Sequence, residues 1–262
     1  DSSAAPEWNK RQGKEMKRRK LVEIESEAMT MLESITTHLD KGDLAVLTEK
    51  INSKAIPTPK ILITDHKKAD ASGEYPSRLL VPAANFTQAF PKIGYQGIRE
   101  VFDREKVKYM RFTIVQATTL REDLEVLEIN KLNNTLFSLD IEAMYPSIKY
   151  KLVEKAVNYF AKKLKSIDKK KIRLCLKLIQ FGMNSTLMIF QEKYYEYGGG
   201  MEMQDKALTI GGNESAWLAD LVAAYVLENT QQHFQIMKHF GIYRDDGICV
   251  TKEIMTKNET IK

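Results

Sequence analysis

Residues 240–250 read FGIYRDDGICV. Two short apolar runs, Phe240–Tyr243 and Gly247–Val250, flank the polar triplet Arg244-Asp245-Asp246. Adjacent acids are costly to bury. The pattern therefore predicts a hairpin of two buried strands whose tight turn projects the acids into one solvent-filled cleft. Upstream, LFSLD at 136–140 has the same form, an apolar run closing on an acid, Asp140. If a strand over 136–140 lies beside the 241–249 hairpin, Asp140, Asp245 and Asp246 converge. Oxygen-rich clusters of this kind suit Mg²⁺, which takes one or two carboxylates together with substrate phosphates. Two such ions clamp the attacking and leaving oxygens of an in-line phosphoryl transfer. An isolated Asp-Asp pair is more often an ordinary exposed turn, so the pair by itself does not decide between the two.

The rest of the chain reads as mixed helix and strand. Residues 10–50 show helical spacing of Leu21, Ile24, Ala28, Leu32 and Ile35, with Gly42 ending the pattern. Prolines punctuate residues 57–91, and the runs ILI at 61–63 and RLLV at 78–81 between them predict strands joined by loops. Helical patterns return at 93–108 and 118–132, and 150–182 reads as one or two helices. LMIFQ followed by YYEY within 186–204 predicts a hairpin, with Gly198, Gly199 and Gly200 as a breaker. Residues 213–235 predict a helix with the apolar stripe Leu218, Leu221, Val222, Tyr225 and Val226.

Composition bounds the classes. The chain has 262 residues, with 43% hydrophobic and 29% charged, a globular balance long enough for one large domain or two modest ones. No apolar run is long enough to span a membrane, so no membrane partner is expected, and the polar, basic first residues carry no signal peptide. The only cysteines, Cys175 and Cys249, exclude a disulfide framework and fit a reducing, intracellular compartment. The net charge of +5 is compatible with a nucleic-acid partner. It is concentrated in Lys10, Arg11, Lys14, Lys17, Arg18, Arg19 and Lys20, and again in Lys162, Lys163, Lys165 and Lys169–Lys171. Each run suits phosphates, and equally a solvated helix face; the first also suits a nuclear localisation patch.

Taken together, three motifs in order make the chain resemble reverse transcriptases over roughly residues 56–252. FSLDIEAMYPSI at 137–148 is similar to their first palm motif: an apolar strand, an aspartate, and an aromatic five residues later. TIGGNESAWLADL at 209–221 is similar to the second, glycine-x-x-x-serine followed by x-x-leucine-alanine. YRDDG at 243–247 is similar to the third, the tyrosine-x-aspartate-aspartate hairpin. Upstream, ILITDHKK at 61–68 and PSRLLVPAANFTQAFPKIG at 76–94 resemble the fingers motifs of Penelope-like retroelement polymerases.

The resemblance implies an α+β fold: a right-hand polymerase palm, with a ferredoxin-like antiparallel sheet backed by helices, and a fingers subdomain. It divides the chain into a basic helical extension over 1–55, fingers over 56–132 and palm over 133–262. Sixteen residues follow Asp246, so the expectation is a palm truncated after the hairpin, with the helical thumb missing. The implied activity is RNA-directed DNA polymerisation with two Mg²⁺ or Mn²⁺ ions, an RNA template, a DNA primer and deoxynucleotides (dNTP). Nuclear or cytoplasmic residence follows, with the nucleus favoured.

Residue roles follow by position. Asp140 and Asp245 are the implied metal ligands, with the backbone carbonyl of Ile141 as a further one and Asp246 as the third carboxylate, placing the primer end. Tyr145 occupies the sugar-gate position, where a bulky ring excludes a ribose 2′-hydroxyl. That argues against an RNA-directed RNA polymerase. Arg78 matches the arginine that grips the triphosphate, with Lys67, or Lys68 as its rival, as basic partner. His66 orders its loop. Gly211 permits close backbone approach to nucleotide or template. Ser215 caps the long helix or contacts the template, Tyr243 packs beside the primer end or into the palm, and Arg244 either touches primer phosphates or weakens metal binding. Ile210 and Ala216 depart from the family's usual glutamine and proline. The competing reading is a truncated or repurposed module that binds nucleic acid or a protein partner without polymerising.

Overall fold

The computed structural model describes residues 13–16, 18–63, 73, 77–105, 113–114, 116–127, 134–164, 169–197, 206–230 and 237–253. Among them lie eight α-helices and three small antiparallel sheets, an α+β architecture.

The amino-terminal helical pattern resolves into three pieces. Strand β1, Gly13–Met16, precedes helix α1, Arg18–Ile35, whose Leu21, Ile24, Ala28, Leu32 and Ile35 are all buried as their spacing predicts. A 3₁₀ turn at Thr36–His38 then breaks the helix. Gly42 is not the terminator. It lies in the first turn of α2, Lys41–Ser53, which starts where the Asp40 carboxylate accepts a 2.8 Å hydrogen bond from the Asp43 amide.

The two apolar runs of the proline-rich segment pair as β2, Lys60–Ile63, and β3, Ser77–Leu80, a two-stranded ribbon. Residues 85–88 join it to α3, Ala89–Arg104, through buried polar contacts. The Asn85 amide donates to the Leu187 carbonyl, the Thr87 hydroxyl to the Ser185 carbonyl, and the Gln88 amide to Thr186 Oγ1. Helix α4, Ala117–Val126, stands on the chain's way to β4, Leu136–Asp140. The short α5, Met144–Ser147, leads to α6, Tyr150–Ala161, and α7, Lys169–Asn184, so the 150–182 pattern is two helices.

The next hairpin joins β5, Leu187–Phe190, to β6, Lys193–Tyr197. Its two-residue turn is Gln191-Glu192, with φ of +47° and +61°, the twist-matched turn in which both central residues are left-handed. The turn thus falls before the glycine run Gly198–Gly200, which lies outside the described residues. Helix α8, Ser215–Asn229, precedes β7, Met237–Tyr243, and β8, Asp246–Thr251. The helix is buried through Leu218, Ala219, Leu221, Val222, Ala223 and Ala224, whereas Val226, assigned to its apolar stripe, is exposed.

Strand order is β1-β6-β5 in one sheet and β4-β8-β7 in another. The largest core cluster joins α3, α6, α7 and α8. A second gathers α1 and α2 around Phe86, Phe90, Leu178, Phe181 and Leu187, so the amino-terminal helices share a core with the middle of the chain. Helices α3 and α7 approach closely because glycines line their crossing. A Cβ added to Gly182 would sit 2.3 Å from the Pro91 ring, and one on Gly94 2.7 Å from the Cys175 carbonyl oxygen. No helix among the described residues is long and apolar enough to cross a membrane.

Candidate active site

The 240–250 stretch forms the hairpin its pattern predicts. Tyr243 pairs with Asp246 across a two-residue turn, Arg244-Asp245, in which only Arg244 has positive φ, +58°. That position normally favours glycine, so an arginine there carries backbone strain of about 1–3 kcal/mol. On the other side β8 pairs antiparallel with β4, placing Leu139 opposite Gly247 and Asp140 opposite Asp246. One residue further, the Ile141 amide donates a 2.8 Å hydrogen bond to the Asp245 carbonyl. Backbone pairing alone therefore sets Asp140 beside Asp245-Asp246.

Burial across this sheet is uneven. Gly247, Cys249, Val250 and Thr251 of β8 are buried, as the apolar pattern requires. The edge strand β4 is largely exposed instead, and Leu136, Leu139 and Ile141, with Tyr243 on the opposite edge strand β7, all reach solvent. Asp140 and Asp246 are exposed and Asp245 is half-buried. A groove of about 430 Å³ borders Asp246, lined also by Ile114, Gln116, Leu120, Tyr243 and Ile248. Residues 113–114 reach it through a parallel bridge to Ile242.

Tyr145 sits on α5 just after Ala143, whose φ of +50° turns the chain sharply. Its ring is half-buried against the main core. Burial pushes its hydroxyl pKa up; the Arg244 cation opposes this, and Asp220, Asp245 and Tyr243 add to it. Tyr145 thus shares one electrostatic neighbourhood with the turn.

Arg244 does not stand free beside the acids. Its Nη1 donates to the Ala216 carbonyl at 2.9 Å and pairs with the Asp220 carboxylate, both on α8. Burial raises the Asp220 pKa while Arg244 lowers it. Asp220 escaped the sequence reading. It lies four residues after Ala216 and therefore on the same face of α8, but no sequence pattern ties that face to the turn.

The residues of the 209–221 motif form a second group. Gly211 has φ +107°, and an added Cβ would lie 2.6 Å from the Val81 carbonyl oxygen. Its close approach is therefore to the end of β3, where the Val81 amide also donates to the Ile210 carbonyl at 2.9 Å. Arg78 is exposed on that strand, opposite Leu62. Ser215 opens α8 but is only 1% exposed, and its hydroxyl lies 3.4 Å from Glu214 Oε1. Ser215 therefore stands at the helix start, as expected, in a buried position. Glu214 is a second residue missed in the sequence: it is buried, its Oε2 has no hydrogen-bond partner among the described residues, and desolvation pushes its pKa up to about 7. Lys67, with Lys68 and His66, lies outside the described residues.

The structure therefore brings together Asp140, Ile141, Tyr145, Tyr243, Arg244, Asp245 and Asp246. It sets Gly211 and Ser215 near the start of α8, with Arg78 on the strand whose end meets Gly211, and Ala216 and Asp220 of α8 reach the first group through Arg244. The donor chemistry at the first group is all oxygen, as hard divalent cations require. Among the described residues no three His, Cys, Asp or Glu side chains are gathered closely enough to hold a metal ion. The strand register sets Asp140 directly opposite Asp246, where Cβ atoms lie about 5 Å apart.

No protein-family model and no curated protein matches the sequence. Solved structures do. A telomerase from Candida albicans, in complex with a TWJ fragment of telomeric RNA, aligns over 96% of this chain and 42% of its own, at 9% identity and a TM-score of 0.53. An apo telomerase from Candida tropicalis, truncated from its C-terminal domain, aligns over 80% of this chain and 45% of its own, at 12% identity and a TM-score of 0.50. Telomerase is a reverse transcriptase, and at these identities the likeness is one of fold. This chain spans less than half the length of either structure.

Proposed function

We propose that this chain is the polymerising core of an RNA-directed DNA polymerase. The observation that carries the reading is the β4–β8 register, with Asp140 opposite Asp246 and the Ile141 amide on the Asp245 carbonyl, inside a reverse-transcriptase-like fold. Asp140, Asp245 and the Ile141 carbonyl would hold two Mg²⁺ or Mn²⁺ ions. When bound, such ions supply an activated primer 3′-hydroxyl and neutralisation of the pyrophosphate leaving group. Asp246 and Tyr243, which line the neighbouring groove, position the primer end. Tyr145 excludes a ribose 2′-hydroxyl, and Arg78, with Lys67, meets the triphosphate. The partners are an RNA template, a DNA primer and dNTP, read through backbone and duplex shape rather than sequence. Residues 56–132 act as fingers and 133–262 as palm. The upstream signatures favour a Penelope-like origin, and the basic run at residues 10–20 favours the nucleus.

Primer extension on an RNA template with Mg²⁺ or Mn²⁺ tests the reading. Extension by the wild-type chain, reduced at least about a thousandfold by Asp245→Asn, is the expected result. Absent extension with tight binding of RNA–DNA duplex, equal in wild type and variant, overturns it in favour of a binding module.

A further inference from the structure

Arginine is an unusual neighbour for three acids. A guanidinium on the turn has the following Asp245 and Asp246 carboxylates within reach to pair with, and any such pairing would occupy the oxygens that a cation needs. The structure gives Arg244 a different partner. Asp220 on α8 takes the guanidinium, the Ala216 carbonyl accepts from the same Nη1, and the two acceptors stand four residues apart on one helix face. The pair is well shielded, with the Asp220 side chain 13% exposed and that of Arg244 35% exposed. It also joins the strained residue of the turn, at φ +58°, to a helix whose core face is almost fully buried.

We infer that Asp220 is a positioning residue for the carboxylate turn: it seats the turn on α8 and keeps the Arg244 cation off Asp245 and Asp246. This rests on the polymerase reading only in assigning those acids to metal. Asp220 touches no reacting atom; it acts through Arg244. The charge pair closes a contact between segments 24 residues apart, and each member acts on the turn through the other. Their effects should be coupled and not additive.

Two measurements on the full chain test this without requiring polymerisation. In the first, amide hydrogen exchange is followed in peptides covering residues 241–248. Asp220→Asn should speed exchange there at least about tenfold while peptides from α3 and α7 keep wild-type protection. In the second, Mn²⁺ alone is titrated by electron paramagnetic resonance. Asp220→Asn should weaken Mn²⁺ binding about fivefold or more, because the released cation turns to the acids. Combining Asp220→Asn with Arg244→Gly removes that cation, and glycine accepts the positive φ. Affinity should return to within about twofold of wild type. Unchanged exchange in Asp220→Asn overturns the inference, as does weakened Mn²⁺ binding that the double variant does not rescue. If wild type binds no Mn²⁺, the exchange result decides alone. Should Asp220→Asn lose protection throughout the molecule, Arg244→Lys replaces it. Lysine keeps the charge but not the fork, and local loosening of 241–248 is again the required result. A chain that fails to extend a primer yet follows the Mn²⁺ and exchange expectations would refute the polymerase reading and leave this one standing.

Discussion

Gly211 shows how much a single residue decides here. Its φ of +107° suits glycine, and a Cβ would fall 2.6 Å from a backbone oxygen that cannot move without displacing β3. Gly211→Ala should lower unfolding free energy by about 2–3 kcal/mol, read as a shifted urea midpoint at unchanged slope. Tyr145 acts through bulk. If it is the gate, Tyr145→Ala should admit ribonucleotides, raising their kcat/KM roughly ten- to a hundredfold while deoxynucleotide use changes little. Equal ribonucleotide exclusion by variant and wild type would make the ring a packing residue only. Glu214 acts through burial. Its folded pKa of about 7 lies above the usual value near 4.5, so the folded state holds the proton more tightly than the unfolded chain. The stability this provides is complete below about pH 4.5, declines as pH rises, and is gone above about pH 7, a loss of up to about 3 kcal/mol. Glu214→Gln should flatten that part of the profile and raise Tm at pH 8, measured by thermal denaturation across pH 4–8.

At the scale of elements, most of what the sequence predicted was local and appears. The YRDD hairpin, the β5–β6 hairpin, the ribbon at 60–80 and the helices α1 and α8 all have a short-range signal: an apolar period, a turn, or a run closing on an acid. What the sequence hid was pairing over distance. GKEM at 13–16 has no strand propensity worth reading; it is a strand because the edge of β6 offers it a ladder. The break in the first helical stretch falls at residues 36–40, where only an N-capping aspartate marks it, and Gly42 misled because glycine is tolerated in a first turn. At the site, the three acids were legible by spacing. Their support, Asp220, was not, since nothing in one sequence links positions 220 and 244. The α3–α7 crossing is similar in kind, legible as three glycines but not as a contact. Gly182→Ala there should cost about 1–3 kcal/mol by pressing a methyl into the Pro91 ring, visible as a lower Tm.

Across the whole molecule, the helices α3, α6, α7 and α8 supply the rigid body and the hairpins stand on it. The acids lie on the exposed side of a three-stranded sheet whose central strand, β8, is the best buried. The exposed carboxylates can therefore be replaced without disturbing the core, and Asp140→Asn should melt within about 2 °C of wild type. The long-range pairing also has a consequence in time. Lys20 and Glu196, which join α1 to β6, are 176 residues apart. At the usual pace of ribosomal synthesis, roughly 5–20 residues per second, about 10–35 s pass between their emergence. The first strand must wait that long for β6, and the core around α1 is complete only once Leu178, Phe181 and Leu187 have followed. Strand β4 likewise waits for β8, so the acidic cluster is assembled about 110 residues after Asp140 has emerged. During that interval the nascent amino-terminal segment is a natural client for a chaperone that shields apolar helix faces.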